Sequence, residues 1–233
     1  MAARTIFVTG TDTGVGKTYV VSMLLRQLRA AGVDACGFKP VASGCEDTPQ
    51  GLRNEDALAL QAASGGTEPY EALNPYALAP AIAPHLAARD AGVRVDCSRL
   101  DAAQAALAAR HDLVLVEGAG GWQVPLNEAQ TFADWVTARQ WPVLLVVGMR
   151  LGCINHALLS ADSIARGTRL LAWVANVLPP AMPYLDDNIA TLRARLPAPL
   201  LGVIPAGGST PLDLAPLLTG SPAARDTRDA AES

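Results

Sequence analysis

The 233 residues contain no basic run and no arginine-rich face, and the net charge is −4. Neutralising a phosphate backbone needs clustered Lys and Arg, so nucleic acid is not expected as a partner. No run of 18 apolar residues occurs, and nothing reads as a membrane span. The apolar stretch behind Met1-Ala2-Ala3-Arg4 is only Thr5 to Thr9, too short for the core of a signal peptide. The expected location is therefore the cytoplasm. The four cysteines, Cys36, Cys45, Cys97 and Cys153, form no C-x-x-C pair. Cys153 and His156 lie three apart but lack a second ligand pair, so all four read as small reduced core thiols rather than a zinc site. No G-x-S-x-G occurs, and His85, His111 and His156 lack the mutual spacings of a zinc enzyme. Gly14 and Gly16 begin a G-x-G, but the third glycine of a dinucleotide fingerprint would fall on Tyr19. There are no internal repeats.

Charge is sparse as well. Only 17% of residues are charged and 50% are apolar, so the chain can bury enough surface to offset its ordering entropy. The length fits one domain, taken as residues 1–219. Gly220 to Ser233 is polar with charges of both signs and is expected to be a disordered tail.

Within the domain, short apolar runs alternate with helical periodicity. Strands are expected at Thr5–Thr9, Ala35–Val41, Leu113–Val116, Val143–Val147, Leu170–Val177 and Leu200–Ile204. Val20, Val21, Leu24, Leu25 and Leu28 recur at helical spacing up to Gly32. Asn54 reads as the cap of a helix over Glu55 to Leu60, and Ser98 as the cap of one reaching Ala109. Further helices are expected around Phe132 to Arg139, from Asn155, and around Asp186 to Arg195. Gly65 to Val95, rich in Ala and Pro, reads as an irregular insertion with short helices. This alternation predicts an α/β fold, a parallel β-sheet flanked by helices; the loop at 10–18, taken next, makes it of the phosphate-loop NTPase type.

Gly10-Thr11-Asp12-Thr13-Gly14-Val15-Gly16-Lys17-Thr18 lies between the first strand and the first helix, the context a phosphate loop requires. Glycines at 14 and 16 let backbone N–H groups approach phosphate oxygens, and the helix presents its positive end to the anion. Lys17 can neutralise the β- and γ-phosphates, and Thr18 offers a hydroxyl to Mg²⁺. The strict pattern places glycine where Thr11 stands, and Gly10 lies one residue earlier.

Ligands sit at the carboxyl ends of strands in open α/β sheets. Those ends carry Lys39-Pro40-Val41-Ala42-Ser43-Gly44, Glu117-Gly118-Ala119-Gly120-Gly121, Gly152-Cys153-Ile154-Asn155, Asn176 and Pro205. Glu117 is the strand-end acid suited to Mg²⁺. Asp56 is either a second such acid or a first-turn residue favoured by the helix dipole. Lys39 is either a second cation at the rim or a lysine snorkelling from a strand end. Asn155 reads as a helix cap, and that helix start can also hold a carboxylate.

Gly-Thr-Asp-Thr-Gly-Val-Gly-Lys-Thr at 10–18, Lys-Pro-Val-Ala-Ser-Gly at 39–44, Glu-Gly-Ala-Gly-Gly at 117–121 and Leu-Gly-Cys-Ile-Asn-His at 151–156 together resemble the dethiobiotin synthetase family. The likeness runs from about residue 5 to 205 and rests on the order and spacing of the motifs. It implies an ATP-dependent ligase that closes the ureido ring of 7,8-diaminopelargonic acid with CO₂, giving dethiobiotin, ADP and phosphate in biotin biosynthesis. It implies that Gly14, Val15, Gly16, Lys17 and Thr18 hold the triphosphate, with Gly118, Ala119 and Gly120 beside the nucleotide. Thr18, Asp56 and Glu117 would surround Mg²⁺. Lys39 would be the catalytic lysine with Lys17 beside it, and Ser43 would lie against the substrate. Asn176 would contact the adenine, with Pro205, Ala206 and Gly207 lining that end. Gly152, Cys153, Ile154 and Asn155 would bind the substrate carboxylate from the partner subunit of a homodimer. The chain departs from the family in having Gly14 where an acid is common. It departs again over 178–188, where the family places an aromatic and this chain has Tyr184.

One rival reading is a related amide-forming enzyme or small-molecule kinase with the same loop but another substrate; another is a partition or septum-placement ATPase, a switch rather than a biosynthetic enzyme. Such proteins often carry a signature lysine early in the loop, whereas this chain has Thr11 and Thr13. Its last residues, Asp229 to Ser233, form no basic amphipathic tail.

Overall fold

The structure is a computed structural model that describes residues 4–219, so the expected tail lies outside the described residues. The first third of the chain runs β1 (Arg4–Gly10), α1 (Lys17–Ala30), β2 (Ala35–Phe38), β3 (Val41–Ser43), β4 (Glu46–Thr48), β5 (Gly51–Arg53), α2 (Glu55–Ala63), α3 (Tyr70–Leu73) and β6 (Tyr76–Leu78). The middle runs α4 (Pro84–Asp90), α5 (Cys97–Ala108), β7 (Leu113–Gly121), α6 (Phe132–Ala138), β8 (Val143–Met149) and α7 (Cys153–Ala165). Then follow β9 (Leu170–Val177), α8 (Leu185–Arg195), β10 (Leu200–Ile204) and α9 (Ala215–Thr219).

The main sheet has six parallel strands in the order β10-β9-β8-β1-β7-β2. Side chains alternate across a strand, and β1 shows the consequence. Phe7 enters one core layer with Phe132, Trp135, Leu100 and Ala157, beneath α5, α6 and α7. Ile6 and Val8 enter the other with Val20, Leu24, Leu60 and Leu217, beneath α1, α2 and α9. Both faces of the sheet are thus covered, which is why β8 is buried along its whole length and reads as an unbroken apolar run.

Four local readings need correction. Ala35–Val41 is not one strand. Proline has no N–H to donate, and the chain leaves the main sheet at Lys39-Pro40; β3 then pairs in parallel with β6 in a second, two-stranded sheet. Gly65–Val95 therefore contributes a strand as well as the short helices α3 and α4. Asp96, not Ser98, caps α5, its Oδ1 accepting from the Ser98 N–H at 2.9 Å. Gly152, not Asn155, is the N-cap of α7, in a left-handed conformation with φ 94°. A β4–β5 hairpin had no counterpart in the sequence reading.

Glu68 fastens the segment before α3 to the end of α5. Its carboxylate accepts from Arg110 Nη2 at 2.6 Å and Nε at 3.1 Å, and lies 3.0 Å from His111 Nε2. Hydrogen bonding from Arg110, above all, holds the Glu68 carboxyl below the ordinary glutamate range. A lowered folded-state pKa contributes stability above the unfolded value of about 4.5, and that stability disappears as pH falls through the folded value. Arg110 is half-exposed, which limits the gain. Glu68→Gln is expected to cost about 1 kcal/mol at pH 7 and to flatten the acid limb of a urea-melting series below pH 4.5. An unaltered acid limb would show that Glu68 is not a stabilising acid.

Candidate active site

The phosphate loop closes because β1 ends in a residue without a side chain. A Cβ on Gly10 would lie 2.5 Å from Val15 Cγ2 and 3.2 Å from Lys17 Cγ. This places the required glycine one position before the strict pattern. Thr11, at the strict position, instead donates its N–H to the Val146 carbonyl at 3.0 Å. Gly16 has φ 83° and is the N-cap of α1, with no side chain capping the helix. The first-turn N–H groups of α1 are thus left for an anion. Lys17 Nζ donates to the Asp12 carbonyl at 3.3 Å. Burial first, and then the Lys39 charge, pull the Lys17 pKa down to about 8. The lysine is therefore strained toward neutrality and gains from any arriving phosphate.

Facing it, Lys39 Nζ donates to Glu117 Oε1 at 2.6 Å and Asp56 Oδ2 at 2.8 Å. Thr18 Oγ1 donates to the same Glu117 oxygen at 2.7 Å. Lys39 is 4% exposed and Glu117 is 0% exposed. Burial opposes the Lys39 charge, but Glu117 and then Asp56 outweigh it, and its pKa is raised. Burial likewise opposes ionisation of Asp56, and Lys39 overcomes it, so that carboxyl is lowered. Glu117 Oε2 is buried without a hydrogen-bond partner. An orphaned carboxylate oxygen beside a second carboxylate and a hydroxyl is a hard-oxygen donor set that fits Mg²⁺. Among the described residues no group of three His, Cys, Asp or Glu converges as a metal site. A short protein set suits an ion that takes its other ligands from phosphate and water.

Residues absent from the sequence reading hold this lysine in place. The Lys39 N–H donates to the Leu73 carbonyl at 2.8 Å, and Asn74 Nδ2 donates to the Lys39 carbonyl at 2.7 Å. Tyr70 Oη donates to Asn74 Oδ1 at 2.9 Å and accepts from the Asn54 N–H at 2.8 Å. Asn54 Oδ1 caps α2 by accepting from the Asp56 and Ala57 N–H groups, and its Nδ2 reaches the Ser43 carbonyl at 3.3 Å. One buried polar chain therefore runs from Ser43 to Lys39 and sets Asp56 on the way. Of this polar chain the sequence marked Asn54 only as a helix cap; the Asn-Pro pair at 74–75, a turn signal, is the one sign of Asn74.

Gly14, Gly16, Lys17, Thr18, Lys39, Ser43, Asp56, Glu117, Ala119 and Gly120 line one cavity of about 330 Å³, with Thr13, Ala42 and Asn54 added. The Val15 side chain is in the core, so only its backbone faces the loop. Gly118 packs on Phe7, where a Cβ would sit 2.7 Å from the ring. Asn176 lies beyond the other end of the loop, its Nδ2 donating to the Val15 carbonyl at 2.9 Å. Pro205, Ala206 and Gly207 are exposed just after β10. Gly152–Asn155 forms the start of α7, apart from the cavity. Cys153 is buried there and its N–H donates to the Arg150 carbonyl at 3.0 Å, leaving the Ile154 and Asn155 N–H groups and the exposed Asn155 side chain for any ligand.

A family model described as an AAA domain matches residues 4–209. A relative named ATP-dependent dethiobiotin synthetase BioD from Pseudomonas aeruginosa (strain UCBPP-PA14) is 54% identical over 223 residues, 92% of this chain and 98% of the relative. One of the same name from Xylella fastidiosa (strain 9a5c) is 52% identical over 206 residues, 88% of this chain and 91% of the relative. Among solved structures, the signal recognition particle receptor FtsY from Elizabethkingia anophelis, in complex with GDP, aligns with a TM-score of 0.51. It covers 88% of this chain and 57% of that one at 16% identity, a likeness of fold alone. The phosphate loop that opens this fold and the identity that spans nearly whole relatives lead to one conclusion: the chain belongs to the ATP-dependent dethiobiotin synthetase family.

Proposed function

We propose that this chain is an ATP-dependent enzyme of biotin biosynthesis that joins 7,8-diaminopelargonic acid and CO₂ into dethiobiotin. The observation that carries the reading is the meeting of Lys17, Lys39, Thr18, Asp56 and Glu117 in one cavity that also reaches Ser43. One substrate amine adds to CO₂, losing a proton and leaving a carbamate. The carbamate oxygen takes the γ-phosphoryl group of ATP, releasing ADP and giving a carbamic–phosphoric anhydride. The second amine attacks the carbonyl carbon, phosphate leaves, and the ring closes. Two anions must meet in the middle step, and Lys17 and Lys39 are the cations that permit it. Gly14 to Thr18 hold the triphosphate, and Gly118 to Gly120 border it. Mg²⁺, held by Thr18, Asp56 and Glu117, would neutralise phosphate charge. Ser43 orients the diamine end of the substrate, and Asn176 with Pro205 to Gly207 meets the base.

The uncapped start of α7, Gly152 to Asn155, suits the substrate carboxylate, presented by a second copy of the chain. Leu151, immediately before it, is 94% exposed, and Leu159 and Tyr184 are exposed on α7 and at the start of α8. Large apolar side chains left exposed on these elements favour a homodimer.

Phosphate release from ATP is expected to require both the diamine and bicarbonate, and to decline per chain on dilution as the dimer dissociates. ATP hydrolysis at full rate without the diamine would defeat the synthetase reading. Full diamine-dependent activity from a monomer would defeat the shared site.

A further inference from the structure

The phosphate loop has two ends with different surroundings. Lys39, Asp56, Glu117 and Ser43 stand at one. At the other, Asn176 packs so closely that a Cβ on Gly16 would lie 2.3 Å from its Nδ2. Beyond Asn176 lies the exposed turn Pro205–Gly208, at the carboxyl end of the edge strand β10. A triphosphate whose reacting end faces Lys39 leaves the loop at the second end, over Gly16 and the residue after Thr18. That residue is Tyr19.

Tyr19 sits in the first turn of α1 and is 43% exposed. Its phenol O–H donates to the Gly208 carbonyl at 2.5 Å, joining residues 189 apart in the chain. The turn is closed by the Gly208 N–H on the Pro205 carbonyl at 3.0 Å, with Gly207 at φ 65°. Further along, Gln27 of α1 holds the same segment, donating to the Thr210 carbonyl and accepting from the Leu212 N–H, both at 2.9 Å. Gln27 anchors the base of the segment. Among the described residues of α1, the helix that carries Lys17 and Thr18, Tyr19 is the one that bonds the Pro205–Gly208 turn itself.

We propose that Tyr19 is a positioning residue for the nucleoside end of ATP. Its hydroxyl latches the Pro205–Gly208 turn to the phosphate-loop helix, so the wall beside the base is fixed relative to the groups holding the phosphates. This rests on the reading of the chain as an ATP-using enzyme with its base at that turn. A glycine-containing exposed turn left untied must be ordered when the nucleotide binds, and the latch removes that cost in advance.

Tyr19→Phe deletes the hydroxyl and keeps the ring. The loss of one hydrogen bond predicts a rise of about three- to ten-fold in the KM and Kd for ATP, with kcat unchanged. Inorganic tripolyphosphate, which has phosphates and no base, is expected to bind the variant and the original chain equally well by calorimetry. A parallel loss for ATP and tripolyphosphate would mean that the substitution damages the phosphate loop, and would overturn the proposal. So would unchanged ATP affinity. If the original chain binds tripolyphosphate but not ATP, the ATP reading falls and the latch with it.

Discussion

Lys39→Ala should lower turnover by about two to three orders of magnitude while ATP affinity moves by less than about three-fold. On the proposed reading the loop, Lys17 and the start of α1 carry the ground-state hold on the triphosphate, and none of them is touched. In the proposed reaction Lys39 would act where charge accumulates between the carbamate and the γ-phosphoryl group, so its contribution would grow toward the transition state. The same change leaves Glu117, fully buried, facing Asp56 without its 2.6 Å cation. An unpaired buried carboxylate is strongly destabilising, by about 3–5 kcal/mol when one partner of a buried pair is removed. A thermal melt must accompany the kinetics for that reason. Lys39→Arg separates the two effects, since it keeps the charge and alters the reach: stability recovers more than turnover. Wild-type turnover in a folded Lys39→Ala protein would remove Lys39 from the chemistry.

Gly16→Ala should abolish measurable ATP binding, a loss of about a hundred-fold or more, in a chain that still folds. A left-handed backbone costs a non-glycine residue about 1–2 kcal/mol. The larger effect is steric, because the new methyl group would lie 2.3 Å from Asn176 Nδ2. Asn176 can yield only by breaking its 2.9 Å bond to the Val15 carbonyl, which holds the loop's shape. Gly14→Ala is the control. Gly14 also has positive φ, 74°, but a Cβ there meets nothing within 4 Å, so only the backbone cost applies. Equal ATP affinities for the two variants would show that the Gly16–Asn176 contact does not shape the cradle.

The central strands of the main sheet were legible because they are covered on both faces, and burial leaves an apolar run. The rim residues were legible for a topological reason. In a parallel sheet the carboxyl-end residues of all strands face the same edge, so Lys39, Glu117 and Asn176 had to lie along one rim once the strands were found. β3, β4, β5 and β6 were not legible, since strands of three residues have no period to read and exist through pairing alone. Asn54 could be seen as a cap but not as a bridge to Ser43 and Tyr70. Its second role depends on partners from other segments, as does the hold of Asn74 on Lys39. Gly152 was passed over for Asn155 because polar side chains announce themselves as caps, whereas a left-handed glycine does so only in three dimensions.

The place of β1 in the sheet sets a timetable for synthesis. β1 is made before its sheet neighbours: Phe7 pairs with Val116 on one side and Val143 on the other, both more than a hundred residues downstream. At ordinary elongation rates the strand waits on the order of ten seconds for its neighbours. Until then Ile6, Phe7 and Val8 have no sheet to enter, and Thr11 lacks the Val146 carbonyl that turns the chain into the loop. Nascent chains that stop before Val146 therefore lack a closed loop to grip ATP. The nucleotide cannot template its own site and can only reward a sheet that has already closed.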